Sequence, residues 1–112
     1  MDEGDKPSRL PPPKVAPVVV DGVQYTQVTN PERVGLAPGG GWLAASDAKT
    51  GKVLWTLRVY GNPINPADEA DVQLLFFSRM ARVGKQRILE IENEDGEVYR
   101  VDLDARSVAP KR

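Results

Sequence analysis

Ala45-Ser46-Asp47-Ala48-Lys49-Thr50-Gly51-Lys52-Val53-Leu54-Trp55 decides the fold class of this chain. It reads as a strand, a tight turn and a second strand that runs on to Tyr60. Asp47 can accept hydrogen bonds from the amides just after it, which bends the backbone. Gly51 can take the left-handed conformation that closes a three-residue loop with a bulge. With Lys49-Thr50-Gly51 as that loop, Ala48 pairs with Lys52, and counting outward sets Ala45 opposite Trp55 and Leu43 opposite Leu57. Side chains alternate along a strand, so Leu43, Ala45, Val53, Trp55, Leu57 and Val59 share one apolar face. Small Ala45 leaves room for the indole. Lys52, Leu54, Thr56, Arg58 and Tyr60 take the other, mixed and half-wet face.

The spacing Ala45-x-Asp47-x-x-Thr50-Gly51-x-x-x-Trp55 resembles the tryptophan-docking repeat of quinoprotein (PQQ-like) β-propellers. In that family the Trp packs on the neighbouring blade, and the Asp, Thr and Gly shape the turn. The resemblance implies a strand–turn–strand with a buried Trp55. A propeller needs at least four blades of about 40 residues each. A chain of 112 residues with one good copy has no room for that, nor for the ligands of a quinone, so no cofactor is expected.

Upstream, Val18-Val19-Val20, Asp21-Gly22 and Val23 to Val28 form a second hairpin signal, Asp-Gly between β-branched runs. Asn30-Pro31-Glu32-Arg33 predicts a single helical turn with Asn30 as N-cap, ended by Gly35. Pro38-Gly39-Gly40-Gly41 reads as a flexible hinge into Trp42. A phosphate loop would need a following helix, and strand residues follow instead. Met1 to Pro17 is polar and Pro-rich, and predicts an extended, disordered arm serving as a linker or tether.

Downstream, Gly61 to Asp71 carries two Asn-Pro pairs and predicts a loop with a second helical turn, capped by Asn65. Val72 to Val83 is the most apolar segment. Strict alternation puts Val72, Leu74, Phe76, Ser78 and Met80 on one face and Gln73, Leu75, Phe77, Arg79 and Ala81 on the other. Apolar residues on both faces predict either a central strand or a strand that meets a partner chain, with helix as the competing reading because periodicity alone does not arbitrate such a run. Arg87 to Asn93, the loop Glu94-Asp95-Gly96 and Glu97 to Leu103 form a third hairpin. Pairing Asn93 with Glu97 sets Ile91 against Tyr99, Leu89 against Val101 and Glu90 against Arg100. A faint echo relates Asp47–Gly51 to Glu92–Gly96. Residues 105–112 are expected to fray.

The fold expected is all-β: a small antiparallel barrel or sandwich of about seven strands with two single-turn helices in loops, forming one domain over residues 18–104. At 40% hydrophobic residues and a net charge of −1, the chain carries a core but no field that argues for nucleic acid or a membrane surface. Cys and His are both absent, which removes thiolate chemistry, the usual neutral-pH base and the commonest transition-metal ligands. The acids Glu90, Glu92, Glu94, Asp95 and Glu97 fail the calcium-loop spacing, because Ile91 stands where the first acid must be. Arg79, Arg82, Lys85 and Arg87 read as an edge-protecting set. No catalytic, cofactor or metal residue is nominated. The expected function is a non-catalytic protein-interaction or structural module, with a protein partner or a second copy meeting Leu74, Phe76, Phe77 and Met80. The alternative is a small-ligand or carbohydrate site built from Trp42, Tyr60 and the 61–71 loop. No leader peptide is read from the first residues, and a mature chain from which one had been removed would read the same.

Overall fold

The computed structural model describes residues 14–61 and 75–111. They form two four-stranded antiparallel sheets, each with its strands in chain order. Sheet A comprises β1 (Val18–Val20), β2 (Val23–Val28), β3 (Trp42–Asp47) and β4 (Val53–Arg58). Sheet B comprises β5 (Phe77–Arg82), β6 (Ile88–Asn93), β7 (Val98–Asp102) and β8 (Ser107–Pro110). The all-β expectation holds. The barrel alternative does not, because each sheet keeps two outer strands and the two do not join into a closed cylinder. Eight strands are described rather than seven. The single described helical element is the 3-10 turn Pro31–Val34, where Asn30 makes no side-chain cap bond. The second expected turn lies outside the described residues.

Turn chemistry sets the hairpins. Asp21 and Gly22 both have positive φ (51° and 80°), the two-residue turn that matches strand twist. In the β3–β4 turn, Asp47 Oδ1 accepts from the amides of Lys49 (2.8 Å) and Thr50 (3.1 Å), and Gly51 adopts φ 79°. The loop is one residue longer than expected, since the Asp47 amide donates to Lys52 O rather than Ala48 pairing with Lys52. A bulge at Leu54 then restores the count, so that Ala45 still opposes Trp55 and Leu43 opposes Leu57. The β6–β7 register is the expected one throughout: Leu89 with Val101, Glu90 with Arg100 and Ile91 with Tyr99.

The C-terminal residues expected to fray instead form β8, paired with β7 from Tyr99↔Pro110 to Asp102↔Ser107. The β7–β8 turn repeats the chemistry of the β3–β4 turn. Asp102 Oδ1 accepts from the amides of Asp104 and Ala105, both at 3.0 Å, and Arg106 takes the positive φ (53°) that Gly51 takes in sheet A. The structural counterpart of Asp47–Gly51 is therefore Asp102–Arg106, not Glu92–Gly96.

One apolar cluster draws on both sheets: Val20, Tyr25, Leu43 and Ala45 from sheet A, and Phe77, Met80, Leu89, Ile91 and Val101 from sheet B. Burying each large side chain contributes about 1.5–3 kcal/mol. Polar bonds tie the sheets at the margins of this cluster. The Phe77 amide donates to Gln27 Oε1 (2.6 Å), and Arg87 bridges Asp104 (2.7 Å) in the β7–β8 turn and Asp21 in the β1–β2 turn. Buried Asn93 is satisfied within its own turn, accepting from the Asp95 and Glu97 amides and donating to Glu97 Oε1, all at 3.0 Å.

Candidate functional site

The residues nominated from sequence as an interaction surface are mostly interior. Phe76, Phe77 and Met80 are buried. A bulge between Phe77 and Arg79 explains how Phe77 and Met80, read onto opposite faces, share one. Ser78 is the extra residue there, so Phe77 and Met80 turn to the same side and both enter the core, against the strict alternation expected. Tyr60, assigned to a half-wet face, is 7% exposed. The strand ends at Arg58, and the bend that follows turns Tyr60 inward to stack on Tyr99 at 5.3 Å. Its hydroxyl donates to Leu75 O at 2.6 Å, and burial raises its pKa above the ordinary tyrosine value. Trp42 is half-buried. Its indole N–H donates to Ala37 O (3.0 Å), and the Arg58 guanidinium lies 5.3 Å over its ring. Leu74 and most of the 61–71 loop lie outside the described residues. A shallow depression is lined by Gly96, Glu97, Val98, Tyr99, Pro110 and Lys111, and neither Trp42 nor Tyr60 lines it.

The outward faces of the two sheets differ in chemistry. On sheet B, Glu90 is the hub of an ion-paired lattice: Lys111 at 3.0 Å, Arg79 at 3.3 Å and Arg100 at 3.4 Å. Arg79 also reaches Glu92 at 3.3 Å. Arg82 donates to the Gln86 and Lys85 carbonyls and Arg87 pairs with Asp21 and Asp104, so these guanidinium groups are engaged within the chain. Among the described residues, no three His, Cys, Asp or Glu side chains stand together as a metal site.

The bond from Lys111, then those from Arg79 and Arg100, hold the Glu90 carboxyl below its ordinary value of 4.5. A carboxylate whose pKa is depressed on folding stabilises the fold above its unfolded value, and that contribution is lost as pH falls through the folded one. Urea midpoints measured between pH 6 and pH 3 are therefore expected to fall with acid. Glu90→Gln should flatten the part of that decline that the lattice causes. An unchanged acid limb in Glu90→Gln would count against Glu90 as the hub.

On sheet A, the rows facing away from the shared cluster are Val28–Trp42–Arg58, Thr26–Ala44–Thr56 and Gln24–Ser46, with Val19 and Leu54 beside them; Ala44 at their centre is buried and the other residues of the rows are half-buried. Arg58 is the single charged residue among them. It is occupied by Trp42 and by bonds to Gly40 O (3.3 Å) and Pro38 O (2.9 Å). Val53 and Leu54, at the start of β4, are 56% and 50% exposed. Val53 was expected to face the core, and the bulge beside it turns it out. Sequence reading missed this face. The available signal was Val53-Leu54-Trp55-Thr56-Leu57, an uncharged, Pro-free window of strand-forming residues after a tight turn. Trp55, half-buried, links the two sheets, with the Tyr25 ring 5.9 Å away and the Arg106 guanidinium 4.8 Å over its face.

Fold and surface together define a small all-β domain with one charged, internally paired face and one face whose single charge, Arg58, is held within the chain. No protein-family model and no curated protein matches the chain.

Proposed function

We infer that this chain is a non-catalytic protein-interaction module that associates with a second copy of itself through sheet A. The observation that carries the reading is the contrast between the two outward faces. Sheet B spends five basic or acidic residues on one paired lattice (Glu90, Glu92, Arg79, Arg100 and Lys111), as a water-facing sheet does. Sheet A presents Thr, Ser, Gln, Val, Leu and Trp, with its one charge already occupied. A sheet whose outer residues carry no unpaired charge can take a second copy against it, along an edge or over a face, without burying one.

In this reading the sheets stack as a sandwich around the shared cluster. Trp55 is the anchor between them, in the manner the tryptophan-docking resemblance implies. Support for the anchor is its position against Arg106 of the other sheet. Sedimentation of the purified chain from micromolar to millimolar concentration tests association. The expected result is an average mass rising toward two chains. A mass of one chain across the whole range would overturn the reading.

A further inference from the structure

We propose that the second copy adds to the outer edge of β4, antiparallel and about a two-fold axis at Thr56, joining two copies of sheet A into one continuous sheet. This rests on the association proposed above and specifies its geometry: edge to edge, not face to face.

Among the described residues the two sheets have four edge strands, β1, β4, β5 and β8. A free edge templates further pairing unless shortness, charge, Pro or a bulge blocks it. β1 has three residues, is preceded by Pro17 and lies beside β5. β5 carries its bulge and two arginines, Arg79 and Arg82. β8 ends in Pro110, which has no amide to give. β4 is uncharged from Val53 to Leu57, and among the described residues it pairs with β3 alone. Its one bulge, at Leu54, lies next to the turn and leaves the rest of the strand regular.

Hydrogen-bond alternation then fixes the register. The Val59 amide donates to Gly41 O at 2.7 Å. In an antiparallel pair every second residue bonds inward, so Leu57 and Trp55 follow Val59, while Arg58 and Thr56 aim their backbone groups outward. Outward residues of one copy must meet outward residues of the other. Centring the axis on Thr56 sets Thr56 against its own copy, Trp55 against Leu57 and Leu54 against Arg58. No like charges meet, an aromatic crosses an aliphatic, and the Arg58 stem covers Leu54. Centring on Trp55 would set Arg58 against Lys52, a repulsive pair. Centring on Leu57 would run the pairing past the end of the strand at Arg58.

The deciding measurement is amide hydrogen exchange on the unaltered chain across the concentration range in which sedimentation reports association. Protection of the Thr56 and Arg58 amides that rises with concentration supports the proposal. If the mass doubles while these two amides keep exchanging fast, the copies meet through another surface: the edge geometry is overturned and the association stands. If the mass stays at one chain, both fail.

Thr56→Pro gives a second reading. It removes an outward amide that sheet A does not use, so the chain should keep its far-UV spectrum while its dissociation constant rises at least about tenfold, the equivalent of about 1.4 kcal/mol. An unchanged dissociation constant would overturn the proposal. Should Thr56→Pro fail to fold, the exchange measurement decides alone. A third reading uses the absence of native cysteine. Thr56→Cys would bring two thiols to positions about 5.5 Å apart between Cα atoms, within disulfide range. Rapid oxidation to a covalent dimer supports the axis, and failure to cross-link at concentrations where dimer is present counts against it.

Discussion

Phe77→Ala is expected to cost about 3–5 kcal/mol, as truncations of buried aromatics do. Phe77 is fully buried, the largest such side chain among the described residues, with the Tyr60 ring centroid 6.1 Å away. Its amide is bonded to Gln27 of sheet A, so the segment around it cannot readily collapse into the space left behind. A domain of this size has a total stability of about 5–15 kcal/mol, so one truncation removes a large share. Urea or thermal unfolding measures it, and each kcal/mol corresponds to a midpoint shift of about 4–8 °C in a 60–100-residue domain. Arg79→Ala, two residues on and on the wet face, is expected to cost less than about 1 kcal/mol. A small loss at Phe77 would return that residue to the surface role that strict alternation suggested, and would remove the bulge at Ser78 from the account.

Hairpin registers were legible where turn residues fix them: Asp21-Gly22 and Glu94 to Gly96 each set the count of the strands they join, whereas the Asp47 to Gly51 loop is one residue longer than its residues suggest and the Ala45–Trp55 pairing is recovered by the bulge at Leu54. Fold class followed from the number of such turns. What alternation could not reveal is where it breaks. One extra residue at Ser78 moved Met80 to the side that Phe77 occupies, and the apparent second apolar face disappeared. The β7–β8 turn was hidden for a related reason, since Arg106 holds a conformation that sequence reading assigns to glycine. Its Asp102, bonded to the amides two and three residues on, was the signal that remained. The uncharged edge of β4 was overlooked because Trp55 drew attention to its inward side. An edge is a property of strand order, which pairwise register does not supply. Phe76, Phe77, Met80 and Tyr60 lie in the interior together, because apolar character announces burial far more often than contact with a partner.

Gly41→Ala is expected to destabilise the chain by about 2–4 kcal/mol, the sum of a left-handed backbone penalty of about 1–2 kcal/mol and an overpacking cost of similar size. Gly41 has φ +92°, and a methyl group there would lie 2.6 Å from Tyr60 O. Its own carbonyl accepts from Val59, so the backbone cannot swing away without opening the β3–β4 ladder. Gly40 is as constrained for a different reason: its φ is ordinary, but an added carbon would sit 1.9 Å from Leu75 O. Within the stretch read from sequence as a flexible hinge, Gly39 to Gly41 are thus buried, with Gly40 and Gly41 pressed against two neighbouring segments, and glycine is there for close approach rather than for motion. Gly61→Ala is the control, because nothing stands within 4 Å of its added carbon and its φ is unexceptional. It should be neutral or slightly stabilising through the unfolded chain. Urea midpoints of the three variants separate the cases. A hinge predicts that all three behave alike, whereas close packing predicts large losses at Gly40 and Gly41 and none at Gly61. Because Gly40 and Pro38 also supply the carbonyls that hold Arg58, loss of this packing would release the one charge on the outward face of sheet A. Gly41→Ala should therefore weaken self-association as well as folding, and Gly61→Ala should affect neither.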